Sequence, residues 1–575
     1  MSAITAPPAA PAKMTHRQVL EALSGLLLGM FVSMLASTVV SSSMPVIVSD
    51  LDGDQTDYTW VITSTMLTTA IFTPIWGKLA DLTNRKLLIQ IALVIFVASS
   101  ATAGFAQNPE MLIASRFVQG VGAGGLAALS QVIMADIISP RERGRYMGLF
   151  GAVMAVATVG GPLLGGFITD VANWRWNFFI AVPFAVLALI LLQTTLHLPK
   201  QPKRKVSIDY LGIVFLAASV SLLLIWVTEA GTQFEWASAE TAWMTSIAGA
   251  AAIAFVVTEL LVKEPLIPLS LFKNRTFTLS VIASISIGVA MFGTSVYLSQ
   301  YMQMSRGATP TEAGLMSIPM MAGVLVSSML IGQIITRTGK WKRWVVLGSI
   351  MLLVGITMLA TIRYDTNYWL LSVYMFLTGA GVGMAMQNLV LVVQNTARPQ
   401  EMGAASSGVA FFRSLGGTVG VSVMGAIVAS SVTTLFTDNK QRLADAITTV
   451  AKNEGTNTAQ KISDIMTSGK LPVVHELPNP FRGVLEDLYA QAISHSFIIG
   501  IPLAAIAVVA IIFLPNISLT RQTTTERLAE DEAGMVAVTT GMATTGPIPV
   551  VTGATSTVAH DGGDPRSSRS DSPRD

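Results

Sequence analysis

Residues 111–170 contain two long apolar stretches joined by a short basic segment. The first stretch reads MLIASRFVQGVGAGGLAALSQVIMAD and carries one arginine inside it, Arg116. The joining segment, IISPRERGRYMG, contributes Arg141, Arg143 and Arg145, and the second stretch reads LFGAVMAVATVGGPLLGGFITD. A soluble core has no need of two such runs linked by three arginines, whereas a membrane requires spans of this length and favours basic loops between them.

The composition of the whole chain agrees with a membrane protein. Hydrophobic residues make up 51% and charged residues 12% of the 575 positions, which is about half the charge of an average soluble protein. The chain has no cysteine, which excludes disulfides, thiol catalysis and thiolate metal sites. No cleavable signal peptide precedes the first long run, so we expect that run to stay in place as a spanning helix.

The apolar residues fall into fourteen runs of spanning length, which predict an all-α polytopic membrane protein. In chain order the runs cover residues 20–44, 58–80, 87–106, 110–136, 146–169, 177–197, 210–230, 241–261, 276–298, 312–335, 344–362, 368–396, 405–434 and 491–515.

The charges of the connecting loops predict the orientation of the chain. The first loop between runs has four aspartates (Asp50, Asp52, Asp54 and Asp57) and no lysine or arginine, whereas the second has Arg85 and Lys86. This alternation continues along the chain. Because basic loops stay on the cytoplasmic side, both termini are expected to be cytoplasmic, in a multi-pass protein of the inner or plasma membrane.

The sequence also repeats itself. GKLADLTNRKLLI, from Gly77, is matched by GQIITRTGKWKRWV, from Gly332, and QGVGAGG, from Gln119, is matched by TGAGVGM, from Thr378. Runs 1–6 and 9–14 therefore look like two copies in the same orientation, with runs 7 and 8 as an extra pair. Parallel halves around a midplane site are a transporter architecture.

This repeat divides the chain into five segments. The predicted segments are a cytoplasmic N-terminal segment (1–19), an N-terminal six-helix bundle (20–197), two linker helices with flanking cytoplasmic loops (198–275), a C-terminal six-helix bundle (276–515) with a polar extracytoplasmic insertion (435–490), and a disordered cytoplasmic tail (516–575), which is rich in Thr, Ser, Gly and Asp.

Three motifs resemble those of the major facilitator superfamily, and specifically its fourteen-helix drug:proton antiporter group; the likeness covers residues 20–515. GKLADLTNRK is similar to the family's cytoplasmic loop motif, with Asn84 where glycine is usual. Arg116-x-x-Gln119-Gly120 is similar to its Arg-x-x-x-Gly motif, and VGGPLLGG to its antiporter signature. The residues that these motifs single out are Gly77, Asp81, Arg85 and Lys86, expected to latch the two halves, and Gly160, Gly161, Pro162, Gly165 and Gly166, expected to pack and hinge run 5.

Proton coupling is expected to involve Arg116. A charge at its depth costs roughly 3 kcal/mol or more unless a polar interior receives it; a snorkelling arginine is the alternative. The first run departs from the family pattern, because Ala36 stands where an aspartate is usual. The proton carrier is therefore sought among carboxylates near helix ends, with Asp136 first and Glu229 second, or in a water path around Arg116.

The substrate cavity is expected to be apolar and adaptable. Candidate lining residues are Gln119, which follows Arg116 on the same helix face, and Trp60, Trp226, Phe292 and Phe411. Arg413, inside run 13, is expected to be a structural partner rather than a ligand group.

Gly120, Gly122 and Gly125 match G-x-G-x-x-G, but no strand precedes them, so a nucleotide site is rejected. We expect no enzyme activity, cofactor, metal or nucleic-acid partner, and a monomer in the lipid bilayer. The resemblance implies proton-driven multidrug efflux of amphipathic or cationic drugs, and hence drug resistance. Alternatives are export of a physiological lipid or metabolite, an uptake symporter (disfavoured by the run 5 signature), and a non-transporting receptor or scaffold.

The topology can be checked with single cysteines, because the native chain has none. A membrane-impermeant maleimide applied to intact cells should label a cysteine at Thr456, on the outside, and should leave one at Ser207 unlabelled. External labelling of Ser207→Cys would refute the orientation.

Overall fold

The structure is a computed structural model, and it describes most of the chain. The described residues are 16–52, 55–139, 171–196, 209–230, 234–398, 401–467 and 477–520, with residues 198 and 474 and scattered positions between 142 and 169. Within these ranges the chain is helical, and the only β-type contact is an isolated bridge between Ala230 and Phe234.

Seventeen α-helices and one 3₁₀ turn, Leu269–Lys273, lie in the described residues. The α-helices are α1 (His16–Asp50), α2 (Gln55–Leu82), α3 (Arg85–Gly104), α4 (Pro109–Ile137), α5 (Trp176–Phe179), α6 (Ala181–Thr195), α7 (Tyr210–Glu229), α8 (Ala239–Leu261), α9 (Arg275–Arg306), α10 (Pro310–Met316), α11 (Ile318–Thr338), α12 (Lys342–Leu359), α13 (Tyr368–Thr396), α14 (Met402–Asp438), α15 (Lys440–Glu454), α16 (Thr456–Thr467) and α17 (Phe481–Ile512).

Twelve segments of the described residues are long and apolar enough to cross a membrane. The predicted number of fourteen is therefore not confirmed. Run 2 forms the helix α2, but its threonines make it too polar to count as a spanning segment by composition. The hydroxyls of Thr65 and Thr69 donate to backbone carbonyls of the neighbouring helix α4. Run 5, residues 146–169, lies largely outside the described residues.

The described helices form two groups with separate apolar cores. The first core joins α1, α3, α4 and α6 with the end of α2, and the second joins α9, α11, α12, α13 and α17. Burial of these faces is the main stabilising contribution to each group. The first core lies within the predicted N-terminal bundle and the second within the predicted C-terminal bundle.

The two groups meet along a seam formed mainly by α2 and α14. Leu67, Ile71 and Ile75 of α2 pack in one cluster with Phe411 of α14. The extra helix α7 covers this seam, with Leu216, Val220 and Leu224 in the same cluster. A second contact joins Ala135 of α4 to apolar residues of α13 and α14. The extra pair of helices thus packs on both halves instead of standing apart from them.

The region predicted as a polar insertion is shorter than its expected bounds. α14 continues to Asp438, and α17 already begins at Phe481, so residues 481–490 are the first part of a spanning-length helix rather than part of the insertion. Its apolar side, Leu485 and Leu488, is buried against Leu443 and Val450 of α15. This packing, which local sequence pattern does not show, explains why the helix starts early.

The first residues of the predicted tail are docked on the second group. Trp341 Nε1 donates to the carbonyl of Ile517 (2.7 Å), and Asn395 bonds the backbone of Ser518 and Thr520. The rest of the expected disordered tail, from residue 521, lies outside the described residues.

Candidate functional site

Helices α2 and α4 form the tightest helix pair near the motif residues. Thr65 and Thr69 donate to the carbonyls of Arg116 (3.1 Å) and Gly120 (3.3 Å), and Trp76 Nε1 donates to Val121 (2.9 Å). A Cβ on Gly120 would lie 2.5 Å from the carbonyl oxygen of Thr65. Only a residue without a side chain permits this approach, so α2 and α4 are held as one rigid unit.

Three charged side chains meet where α2, α3 and α4 end or begin. Arg85, the first residue of α3, pairs with Asp136 near the end of α4 and lies 3.5 Å from Asp81 in the last turn of α2. Their side chains are 3%, 7% and 4% exposed. We call Asp81, Arg85 and Asp136 the charge cluster. Because the cluster is buried, removing Arg85 would leave two carboxylates without a counter-charge, a loss of about 3–5 kcal/mol for pairs of this kind.

The charge cluster reaches across the seam through Asp81. Its two oxygens accept hydrogen bonds from the backbone N–H groups of Gly403 (2.7 Å) and Ala404 (2.9 Å), in the first turn of α14. The residue before α14, Glu401, makes no side-chain capping bond. Asp81 therefore acts as the N-terminal cap of a helix from the other half, where orphan N–H groups and the helix dipole favour a negative charge.

The glycines of the same motif make this contact possible. A Cβ on Gly77 would overlap Ser407 and lie 2.9 Å from the carbonyl oxygen of Gly403. Asn84, the departure from the family's usual glycine, accepts hydrogen bonds from Lys86 N and Leu87 N and so caps α3.

The fourth latch candidate, Lys86, lies apart from the charge cluster. Its Nζ donates to the carbonyl of Gln193, near the end of α6. In the repeat copy, the hydroxyl of Thr336, which stands where Asp81 does, donates to Gly332 of its own helix. The segment that would face Thr336 lies mostly outside the described residues.

Arg116 is buried, 3% exposed, and binds neutral groups. Its Nη1 donates to Gln119 Oε1 (2.7 Å) and its Nε to the carbonyl of Val61 on α2 (3.3 Å). Across the described residues no carboxylate pairs with it. Gln119 Nε2, beside the arginine, is buried without a hydrogen-bond partner in the same described part of the chain.

The small-residue face of run 5 lies against α1. Thr38 Oγ1 donates to the carbonyl of Ala157 (2.9 Å), and Ser43 Oγ to that of Gly165 (3.2 Å). A Cβ on Gly161 would overlap the hydroxyl of Thr38, with the Thr38 Cβ only 2.6 Å away, whereas one on Gly160 would meet nothing within 4 Å. Pro162 and Gly166 of the same signature lie outside the described residues.

The predicted cavity residues do not form one surface. Trp226 contacts Trp236 edge to face and donates to Thr241, so it joins α7 to the start of α8. Phe411 is buried in the seam, and Phe292 packs on Gly417 of α14. Trp60 is part-buried on α2 next to Val61, which binds Arg116. Only Gln119 is in direct contact with Arg116.

Two further carboxylates lie on the extra helices. Glu229, a coupling candidate, is the last residue of α7 and is therefore on a different element from Arg116 and Asp136. Glu259 of α8 is buried and accepts from the backbone N–H groups of Leu266 and Ile267, both at 3.1 Å, which secures the turn after α8.

Sequence reasoning missed two sets of contacts. Gln131 of α4 bonds Gln387 (3.2 Å), and its carbonyl accepts from Gln394 (3.3 Å), both on α13, so buried amides join the halves. Lys78 of α2 pairs with Glu264 after α8 at 2.8 Å. The signal for the first set was three glutamines within apolar runs; nothing in the sequence pairs Lys78 with Glu264.

Comparison with known proteins gives a consistent family. The family model described as the Major Facilitator Superfamily matches residues 26–421. Multidrug transporter protein MdtP of Bacillus subtilis (strain 168) is 30% identical over 521 residues, covering 89% of this chain and 96% of that protein. Multidrug resistance protein 3 of the same strain is 31% identical over 490 residues, covering 85% of this chain and 94% of that protein.

A solved structure shares the fold. The proton:xylose symporter XylE bound to 6-bromo-6-deoxy-D-glucose matches with a TM-score of 0.55 at 14% identity, covering 90% of this chain and all of that one. The chain therefore belongs to the major facilitator superfamily. It is a multi-pass membrane transporter, not an enzyme, and relatives about 30% identical to it are named multidrug transporters.

The packing of run 5 on α1 can be tested with two adjacent glycines. Gly161→Ala should push run 5 away from Thr38, lowering stability by roughly 1–3 kcal/mol and reducing transport, as overpacking does. Gly160→Ala is the matched control, because its new methyl meets open space and alanine favours helix. Thermal unfolding in detergent and vesicle transport would both be measured. Equal behaviour of the two variants would contradict the proposed packing.

Proposed function

We propose that this transporter is a proton-driven exporter of amphipathic small molecules. It rocks the N-terminal bundle against the C-terminal bundle around a site near the midplane, as a monomer in the inner or plasma membrane with both termini in the cytoplasm. The observation that carries the proposal is the pair of hydrogen bonds by which the Asp81 carboxylate caps α14 across the seam, from the amides of Gly403 and Ala404. We call this pair of bonds the clasp. Such a contact has two discrete states, made and broken, as alternating access requires.

The charge cluster beside the clasp and the buried Arg116 share one helix, α4. Arg116 lies near one end of α4 and Asp136 near the other. Because α2 and α4 are locked by three hydrogen bonds, a tilt of α4 also moves Asp81. Binding events near Arg116 and the clasp at the seam are thereby mechanically linked.

A proton can act on this link through the charge cluster. Asp136 neutralises Arg85, and Arg85 in turn lies beside Asp81. A proton on Asp81 removes a negative charge that the guanidinium and the N-terminus of α14 both favour, and a proton on Asp136 allows Arg85 to compete for Asp81. Proton entry would then loosen the clasp, and proton loss would restore it. In this proposal Asp136 carries the proton, in place of the aspartate that is usual at the position of Ala36.

The role of Arg116 supplies the test. Arg116→Ala should abolish efflux driven by a proton gradient while the protein remains expressed and folded. Arg116→Lys should also fail, because two separate nitrogens bind Gln119 and Val61, and an ammonium offers only one centre. The measurement is dye efflux from vesicles with and without a pH gradient.

Arg442→Ala is the control for the loss of an arginine. Arg442 lies on α15 in an exposed pair with Asp487, a contact of about 0–1 kcal/mol. It should transport at the wild-type rate. Wild-type, gradient-dependent transport by Arg116→Ala would show that Arg116 has no part in coupling.

A further inference from the structure

Two arginines are the deepest charges of the described helices. Every other Asp, Glu, Lys or Arg there lies within six residues of the end of its helix. Arg116 is about 10 Å from the start of α4 and Arg413 about 16 Å from the start of α14, at 1.5 Å per residue. Run 5, where the helix is only partly described, contains no charged residue in its sequence. More than six residues from a helix end, the described helices therefore carry positive charge only.

Arg413 has no protein partner in the part of the chain that the structure describes. No hydrogen bond or ion pair reaches it there, and its Nη1 is buried. A Cβ on Gly288 of α9 would overlap the carbonyl oxygen of Arg413 and lie 3.2 Å from its Cγ, so glycine permits the close approach of α9 to α14 at this arginine. The sequence led us to expect a structural partner for this arginine, and the described residues supply none.

The position of Arg413 is suited to a transported molecule. Phe411 and Leu415, two residues before and after Arg413, pack in the seam against α2, so Arg413 lies on a different face of the same helix, towards Gly288 of α9. Its depth is about half of the ~30 Å hydrocarbon core. This is the level at which transporters of parallel halves bind their substrate.

A guanidinium at that depth needs a counter-charge. An unpaired charge inside a bilayer costs several kcal/mol, and ionisable groups there normally pair with one another. Here the sequence places no carboxylate in the interior of any apolar run. Arg116 has no carboxylate to share either, because within the described ranges it binds only the amide of Gln119 and the carbonyl of Val61. The counter-charge has to arrive from outside the chain.

We infer that the substrates are amphipathic organic anions, whose carboxylate is bound by Arg413 and attracted by Arg116. This inference rests on the proposed export function and narrows its substrate class. A planar fork of N–H donors is well matched to a carboxylate. The apolar residues around Arg413 would receive the rest of the molecule. Cationic amphipaths, in contrast, would meet two like charges and no carboxylate.

An anionic substrate is also consistent with the absence of an acidic residue at position 36. A negative-inside membrane potential drives an anion outward by about 2.3 kcal/mol per charge per 100 mV. Exchange of one anion leaving for one proton entering moves two charges in the favourable direction. Exchange of one monovalent cation for one proton moves none. An anion exporter can therefore work with fewer proton-carrying carboxylates, as in a chain with Ala36 in α1.

Two dyes that share a ring system test the inference. Right-side-out vesicles would be loaded with a carboxylated fluorescein, an anion, or with a rhodamine ester, a cation. The wild type should export the anion about tenfold faster or more, the equivalent of about 1.4 kcal/mol. Arg413→Gln should remove this preference by slowing the anion and not the cation, and Arg413→Lys should retain part of it. Arg442→Gln, with the same charge change outside the membrane runs, should behave as the wild type.

The outcomes separate this inference from the proposed function. If no dye moves under any gradient, the export function is wrong. If the cation is exported as fast as the anion, or Arg413→Gln slows both equally, export stands and the anion inference is overturned. If Arg413→Gln fails to fold, the comparison of anion and cation efflux by the wild type decides whether the anion inference holds. An inside-negative potential set with potassium and valinomycin, at equal pH on both sides, should accelerate anion efflux only; acceleration of the cation instead would refute the inference.

Discussion

The contact on which the rest of the structure depends is the pair of hydrogen bonds from Gly403 and Ala404 to the carboxylate of Asp81. Helix capping of this type contributes about 1 kcal/mol on a surface, and more where a charged acceptor is buried. Here the acceptor and the capped helix belong to different halves of the protein. Arg85 lies 3.5 Å from the acceptor and pairs in turn with Asp136. The glycine at position 77 lets the two helices approach closely enough for the bonds to form.

The two hydrogen bonds of the clasp act together with the apolar contacts of the seam. Below Asp81, α2 and α14 remain in contact through Leu67, Ile71 and Phe411, and α7 covers the same seam. The glutamines of α4 and α13 add a second polar contact between the halves. Breaking the clasp therefore exposes a buried charge and an apolar strip together. That cooperativity makes a seam of this kind bistable rather than gradually deformable.

Much of this arrangement follows from spacing in the sequence, and some of it does not. Asp81 and Arg85 are four residues apart in one motif, whereas no local pattern pairs Asp81 with the backbone of Gly403 and Ala404. Arg116 and Gln119 share one helix face, and they are in contact. Arg85 with Asp136, and Lys78 with Glu264, are tertiary pairings that no local pattern encodes. The aromatic residues expected in one cavity lie in separate helix contacts. An aromatic side chain in the sequence predicts burial, but it does not predict which residues will surround it.

The most direct test of the account is amide hydrogen exchange at the start of α14, measured by mass spectrometry on the purified transporter. The account predicts slow exchange of Gly403 and Ala404 in the wild type. In Asp81→Asn, exchange should be faster there and also in the facing residues of α4, since both sides of the seam open together. Asp209→Asn is the matched control: Asp209 caps α7 in the same way, through Gly212 N at 2.8 Å, so only the start of α7 should change. Unchanged exchange at Gly403 and Ala404 in Asp81→Asn, or a change confined to those two amides, would contradict the claim that this one carboxylate holds the halves together.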